Sequence, residues 1–232
     1  MNDNILEPKL QSHIDLLIHR YPKLKDIVPS IISAYMAMEQ SYANDHKLLI
    51  AGNGGSAADS EHIAGELMKR FKTPRPISSD FASRLIKIDN VRGPQLAKKL
   101  ERGLMAIPLV AHEALSTACI NDVDGYSVFA QQLLGFGRQG DVFLVISTSG
   151  NSANIMNAVV VAKALGIKVI GLTGADGGEL ARTADVAVKA PETETYMIQE
   201  LHLPIYHCWC LMLEDRFFDE GVGGRRANAK KC

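Results

Sequence analysis

The 232-residue chain is short of net charge, of cysteine, of a basic leader and of any long apolar run, and each shortage removes a class of function. A formal charge of -1 supplies no field with which to hold a polyanion, so a nucleic-acid surface is not expected. Lys and Arg are dispersed apart from Arg225, Arg226, Lys230 and Lys231, which fall in a tail over 219–232 expected to be flexible. The first residues, Asp3, Glu7 and Pro8 among them, do not read as a secretory signal, and no apolar run approaches the length of a membrane span. A cytoplasmic protein with no membrane association is the expectation. The cysteines are Cys119, Cys208, Cys210 and Cys232. Cys208 and Cys210 stand two apart in a predicted helix, where side chains diverge, so neither a zinc knuckle nor a disulfide framework is indicated and buried reduced thiols are expected.

What the chain does have is apolar content, 47% of its residues, enough for one substantial core, and no break in composition divides it. A single domain over 1–232 follows. Apolar spacing at Ile14, Leu17 and Ile18, then at Ile27, Val28, Ile31, Ile32, Tyr35 and Met36, predicts two amphipathic helices over 9–43, interrupted at Pro22. Their apolar faces need cover, from the chain's own sheet or from a second subunit. From 47 to 217 strand and helix signals alternate: strands over 48–51, 107–110, 142–147, 168–172 and 186–188; helices over 57–71, 126–136, 154–165, 178–182 and 198–217. That order predicts an α/β fold with a parallel sheet covered on both faces. The segment over 73–106 breaks the alternation and reads as an insertion with two short helices, a lid, an interface or plain surface.

Two loops recur in one setting. Gly52-Asn53-Gly54-Gly55-Ser56 follows the strand-like Lys47-Leu48-Leu49-Ile50-Ala51, and Ser147-Thr148-Ser149-Gly150-Asn151-Ser152 follows Val142-Phe143-Leu144-Val145-Ile146; each opens a predicted helix. Glycine lets the backbone turn tightly enough to aim free amides at an anion beyond the strand ends, and Ser and Thr hydroxyls add donors without charge. A phosphate ester held by two loops of one sheet is the reading. The first loop also loosely matches a dinucleotide fingerprint. No acidic residue closes a following strand to hold a ribose, however, and Pro74 and Pro76 interrupt that stretch.

Beyond the first loop, His62 and Glu66 are four apart and share a helix face, a spacing that suits joint metal ligation or an acid–base pair. Taken alone, such a pair is more often a solvated one. The last predicted helix is apolar on most sides, through Ile198, Leu201, Ile205, Cys208, Trp209, Leu211 and Met212, and is interrupted by Gln199, His202 and His207. Polar groups in a buried helix need partners. Gln199 and His207, eight apart, lie about 80° from one another around the axis, so they could turn toward one target. Together His62, Glu66, Gln199 and His207 would make a mixed N and O set suited to zinc or another first-row divalent ion.

These motifs, with Leu172-Thr173-Gly174-Ala175-Asp176-Gly177-Gly178 and Ile198-Gln199-Glu200-Leu201-His202, resemble the sugar isomerase (SIS) domain from about residue 47 to 213. Within that superfamily the chain is most similar to the sedoheptulose 7-phosphate, or phosphoheptose, isomerases. The resemblance implies a five-stranded parallel sheet flanked by helices and a homotetramer with sites near subunit boundaries. It also implies zinc held at His62, Glu66, Gln199 and His207. Positions matching Ser56, Ser147, Thr148, Ser149 and Ser152 grip the phosphate, with Gly54 and Gly55 beside it. Asn53, Arg70 and Asp122 match positions that hold the sugar, and the Glu66 and His207 positions carry acid and base roles.

The chemistry agrees with those residue types. Aldose and ketose interconvert by removal of a proton next to a carbonyl, an enediol, and return of a proton to the neighbouring carbon, which one carboxylate and one imidazole can perform. The competing expectation is a SIS protein that only binds a phosphosugar or another protein. Such relatives tend to lose the carboxylate and imidazole that Glu66 and His207 supply here. The chain also departs from the heptose enzymes: the insertion is longer, Tyr196-Met197 replaces a polar pair, and Ala57-Ala58 replaces more polar residues.

Overall fold

Five consecutive apolar residues suit a strand covered on both faces, because alternate side chains then all meet protein. Leu48–Gly52 (β1) and Val142–Ile146 (β3) are of this kind and are buried at every position. The computed structural model describes residues 6–219. Three further strands, Ala106–Pro108 (β2), Lys168–Thr173 (β4) and Val186–Lys189 (β5), complete a sheet in the order β2-β1-β3-β4-β5 with every pairing parallel. The expected five-stranded parallel α/β sheet is therefore present.

Helices cover both faces. Pro8–Arg20 (α1), Val28–Ala43 (α2), Gly55–Met68 (α3) and the last helix, Thr195–Phe218 (α10), enclose one core with Leu48, Ile50, Leu144 and Ile146. Glu113–Asp122 (α6), Val128–Phe136 (α7), Ala153–Ala164 (α8) and Gly178–Thr183 (α9) enclose the other with Leu49, Ala51, Phe143 and Val145. The two strand faces alternate residue by residue, as the pleat requires. Leu10, Ile14, Leu17, Ile31, Tyr35 and Met38 are buried within this chain, so the N-terminal helices cover their own sheet. Trp209 Nε1 ties α10 to α2 by donating to Ile31 O at 3.0 Å.

Expected boundaries shift by a few residues at most elements, and one element was unforeseen. Helix α6 carries Leu115 and Ile120 exposed rather than on a buried stripe, so it left no periodic signal. Helix α10 runs unbroken through Pro204, in keeping with the single helix predicted over 198–217. The insertion holds two helices, Ser79–Ile88 (α4) and Arg92–Lys99 (α5). Its root is closed by a Pro76–Glu101 bridge and by Arg102 N donating to Arg75 O. Cys119, Cys208 and Cys210 are free and buried as expected, and burial pushes the Cys208 thiol up to about 12. Most of the tail over 219–232, with Cys232 and its four basic residues, lies outside the described residues.

Candidate active site

The strand order turns back on itself between β1 and β3. In open α/β sheets that switch point opens a crevice beyond the strand C-termini, where ligands sit. Register pairs Gly52 with Ile146, so both hydroxyl-bearing loops leave the sheet side by side at this crevice. A reciprocal amide pair joins them: Asn53 Nδ2 donates to Asn154 Oδ1 at 3.0 Å and Asn154 Nδ2 to Asn53 Oδ1 at 2.9 Å.

Each loop is shaped by contacts that a side chain would destroy. A Cβ at Gly52 would come within 2.6 Å of Ser56 Cβ, so the turn into α3 closes only with glycine there. Gly150 has φ +65°, and a Cβ on it would fall 2.1 Å from Gly177 O. The loop after β4 thus backs the second hydroxyl loop, with Gly174 N donating to Thr148 O and Leu180 N to Gly150 O. Inside that loop Ser147 Oγ accepts from Gly150 N at 3.2 Å and lies 3.4 Å from Ser152 Oγ, and Ser149 Oγ accepts from Asn151 N. Ser56 and Ser147 are buried, and α3, fourteen residues long, begins at Gly55. Its N-terminus favours an anion.

Two turns further along α3 the character changes from hydroxyl to imidazole and carboxylate. His62 Nε2 is 3.3 Å from Glu66 Oε1, and the His62 and His207 rings meet edge to face with centroids 5.0 Å apart. Tyr206 and Phe71 complete the wall around His207, at 5.0 and 5.3 Å. Helices α3 and α10 therefore bring together residues about 140 positions apart, as a shared acid–base or ligand cluster requires. Burial first, and the His62 ring second, lower the His207 pKa, while Glu66 raises it. Burial raises Tyr206 and Asp59, which are hydrogen-bonded to each other at 3.1 Å.

The remaining expected residues lie around this axis rather than inside it. Gln199 rests its amide against Gly55, at the loop end of α10, two turns from His207. Arg70 is exposed and pairs with Glu101 Oε1 at 3.4 Å. Asp122 ends α6, exposed, accepting from Asn121 Nδ2 at 2.8 Å.

Four residues of the site carried no signal in the sequence. Tyr206 and Asp59 back His62, and neither belongs to a motif. Arg75 and Glu214 form a fully buried ion pair at 2.8 Å. Glu214 also accepts from the amides of Phe71, Lys72 and Thr73, and Arg75 donates to the carbonyls of Leu67 and Glu66. That knot fixes the end of α3, hence Glu66, to α10 and to the insertion root. In the sequence Arg75 stands only between Pro74 and Pro76 at the start of the insertion.

The donor set can be weighed against a divalent ion on one internal observation. His207 Nε2 is buried with no hydrogen-bond partner, on a ring that meets the His62 ring edge to face, so a nitrogen donor for a cation is free there. The residue types fit. Among the described residues, however, no group of three or more His, Cys, Asp and Glu side chains is placed to hold a metal ion.

A sheet with a hydroxyl loop on either side of its switch point defines the class of SIS-type sugar-phosphate domains, and the SIS domain family profile matches residues 97–174. The chain belongs to the phosphoheptose isomerase family. The phosphoheptose isomerase of Aneurinibacillus thermoaerophilus is 41% identical over 177 residues, 76% of either chain. Two solved structures share the fold. The phosphoheptose isomerase of Neisseria gonorrhoeae superposes with a TM-score of 0.66 at 33% identity, covering 88% of this chain and 97% of that one. That of Francisella tularensis gives 0.70 at 30%, covering 89% and 97%.

Proposed function

We propose that the chain is an aldose–ketose isomerase that converts sedoheptulose 7-phosphate to glycero-manno-heptose 7-phosphate by enediol proton transfer. The observation that carries this reading is the meeting of Glu66, His62 and His207 beside a crevice whose mouth is lined by two hydroxyl loops. The 7-phosphate is anchored by Ser56, Ser147, Thr148, Ser149 and Ser152, with Gly54 and Gly55 at the start of α3. Asn53, Gln199, Arg70 and Asp122 take sugar hydroxyls. The chain of the sugar then runs along α3 toward Glu66.

Glu66 removes the proton next to the carbonyl, and His207 returns one at the neighbouring oxygen or carbon. A lowered His207 pKa keeps that imidazole mostly neutral near pH 7, free to accept a proton and hand it on. His62, Glu66, Gln199 and His207 would hold zinc or another divalent ion. When bound, such an ion stabilises negative charge on the enediolate oxygens or fixes the acid and base in place. The unpartnered His207 Nε2 supports that site.

Exposed Met68, Met105, Ile120, Val123 and Tyr126 offer apolar surface that a homotetramer would cover, with sites near its boundaries. No helix among the described residues is long and apolar enough to cross a membrane, which accords with a cytoplasmic enzyme. The decisive experiment incubates the protein with sedoheptulose 7-phosphate in deuterium oxide with zinc supplied. Deuterium entering a carbon-bound position, with heptose product, is expected. Binding without any exchange would overturn catalysis in favour of a phosphosugar-binding role.

A further inference from the structure

The insertion returns to the body alongside the exit of α3, and three contacts fix how the two segments lie. Leu104 N donates to Leu67 O at 2.9 Å, a Cβ on Gly103 would fall 2.4 Å from Met68 O, and Glu101 reaches Arg70. Only glycine permits so close an approach at 103. The returning segment is itself braced. Glu101 bridges Pro76, Arg102 Nε donates to Pro76 O at 2.9 Å, and buried Arg75 ties the same stem to Glu214.

Glu101 turns both carboxylate oxygens to one residue. Oε2 accepts from Arg70 N at 3.1 Å, and Oε1 lies 3.4 Å from Arg70 Nε. An ordinary surface ion pair holds two mobile side chains and contributes little. Here the carboxylate side chain is 21% exposed, stands on a braced segment and grips main chain and side chain together. It meets the guanidinium at the Nε edge. The two terminal nitrogens of Arg70 make no hydrogen bond among the described residues, so they are left to fork onto the oxygens of a ligand.

We infer that Glu101, carried by the insertion, is a positioning residue that holds Arg70 beyond the end of α3 with its terminal nitrogens presented to the sugar. The sugar contact rests on the reading of Arg70 given under Proposed function; the clamp does not. Without Glu101 the arginine samples more rotamers and gives up that freedom on binding, which should weaken binding about three- to tenfold. A contact that is alike in ground and transition states acts on KM rather than kcat. The insertion thus serves the substrate site through its stem.

The test measures isomerisation of sedoheptulose 7-phosphate, and its binding by calorimetry, in full-length Glu101→Gln, Glu101→Ala, Arg70→Gln and the double variant Arg70→Gln/Glu101→Ala. Glu101→Gln keeps an acceptor for Arg70 N and is the safer variant for folding. In both Glu101 variants KM and Kd should rise about three- to tenfold with kcat near wild type. In the Arg70→Gln background Glu101→Ala should add nothing, because the carboxylate acts through the arginine. A purely structural role at the end of α3 would instead lower kcat through Glu66 and persist in that background. Either result, or unchanged KM in folded Glu101 variants while Arg70→Gln raises it, would overturn the inference and leave the sugar contact standing. Arg70→Gln without effect on KM or Kd would sink the sugar contact and the inference with it. Calorimetry reads Kd without turnover, so failure of the isomerase reading would not conceal the outcome.

Discussion

The two ends of the α3–α10 pair are built in opposite ways. At the loop end, the hydroxyls of 147–152 and the glycines of 52–55 come from short contiguous runs, and backbone geometry sets their positions, with Gly150 pressed on Gly177 O. At the other end every group is a side chain borrowed from a distant stretch: His62 and Glu66 from one helix, His207 and Tyr206 from another, braced by Arg75 and Glu214. A ground-state grip needs only donors aimed at an anion, which a local turn can provide. Proton transfer needs a base and an acid at fixed separation, which requires packed elements.

That division can be broken first at Glu66. Glu66→Gln should lower turnover about 10²–10⁴-fold, read as deuterium exchange, while sugar-phosphate binding by calorimetry stays close to wild type. Lost binding with retained exchange would merge the two ends. Next in size is the brace. Arg75→Met leaves Glu214 buried without its cation and should cost about 3–5 kcal/mol in urea denaturation, far more than any surface arginine. A loss below about 1 kcal/mol would show that the insertion root does not hold the histidine end.

His202 lies between the ends, its Nε2 3.3 Å from Thr173 O and its Nδ1 buried without a partner. Burial holds its pKa near 4, against 6.5 for a free imidazole. The folded state therefore resists a proton that the unfolded chain accepts, so stability is complete above about pH 6.5 and declines as pH falls toward 4. The loss should approach about 3 kcal/mol, measured by denaturation at several pH values, and His202→Gln should flatten that part of the profile. The smallest effect belongs to the loop. Ser149→Ala should raise KM about tenfold with kcat little changed, because a hydroxyl on phosphate acts on ground and transition states alike. A change confined to kcat would place that hydroxyl in the chemistry.

Much of this was legible beforehand. The uniformly apolar runs at Leu48–Gly52 and Val142–Ile146 announce buried parallel strands, and a glycine or hydroxyl run after each marks the crevice, because both signals are local in sequence. Helix α6 was missed because its apolar residues face solvent and leave no stripe. Tyr206, Asp59, Arg75 and Glu214 were missed because each is ordinary in its own neighbourhood and acquires meaning only from a partner elsewhere: 147 positions away for the Tyr206–Asp59 bond, 139 for the Arg75–Glu214 contact.

The strand order, the two Gly- and Ser-bearing turns after β1 and β3, and the His and Glu residues on α3 and α10 were set by residue pattern alone. Backbone periodicity and turn chemistry act over a few residues, so they can be read from a string. Which imidazole meets which carboxylate, and which arginine is buried against Glu214, were decided only when α3 and α10 packed together. Those facts depend on distances of 3 Å between groups that the chain itself keeps far apart.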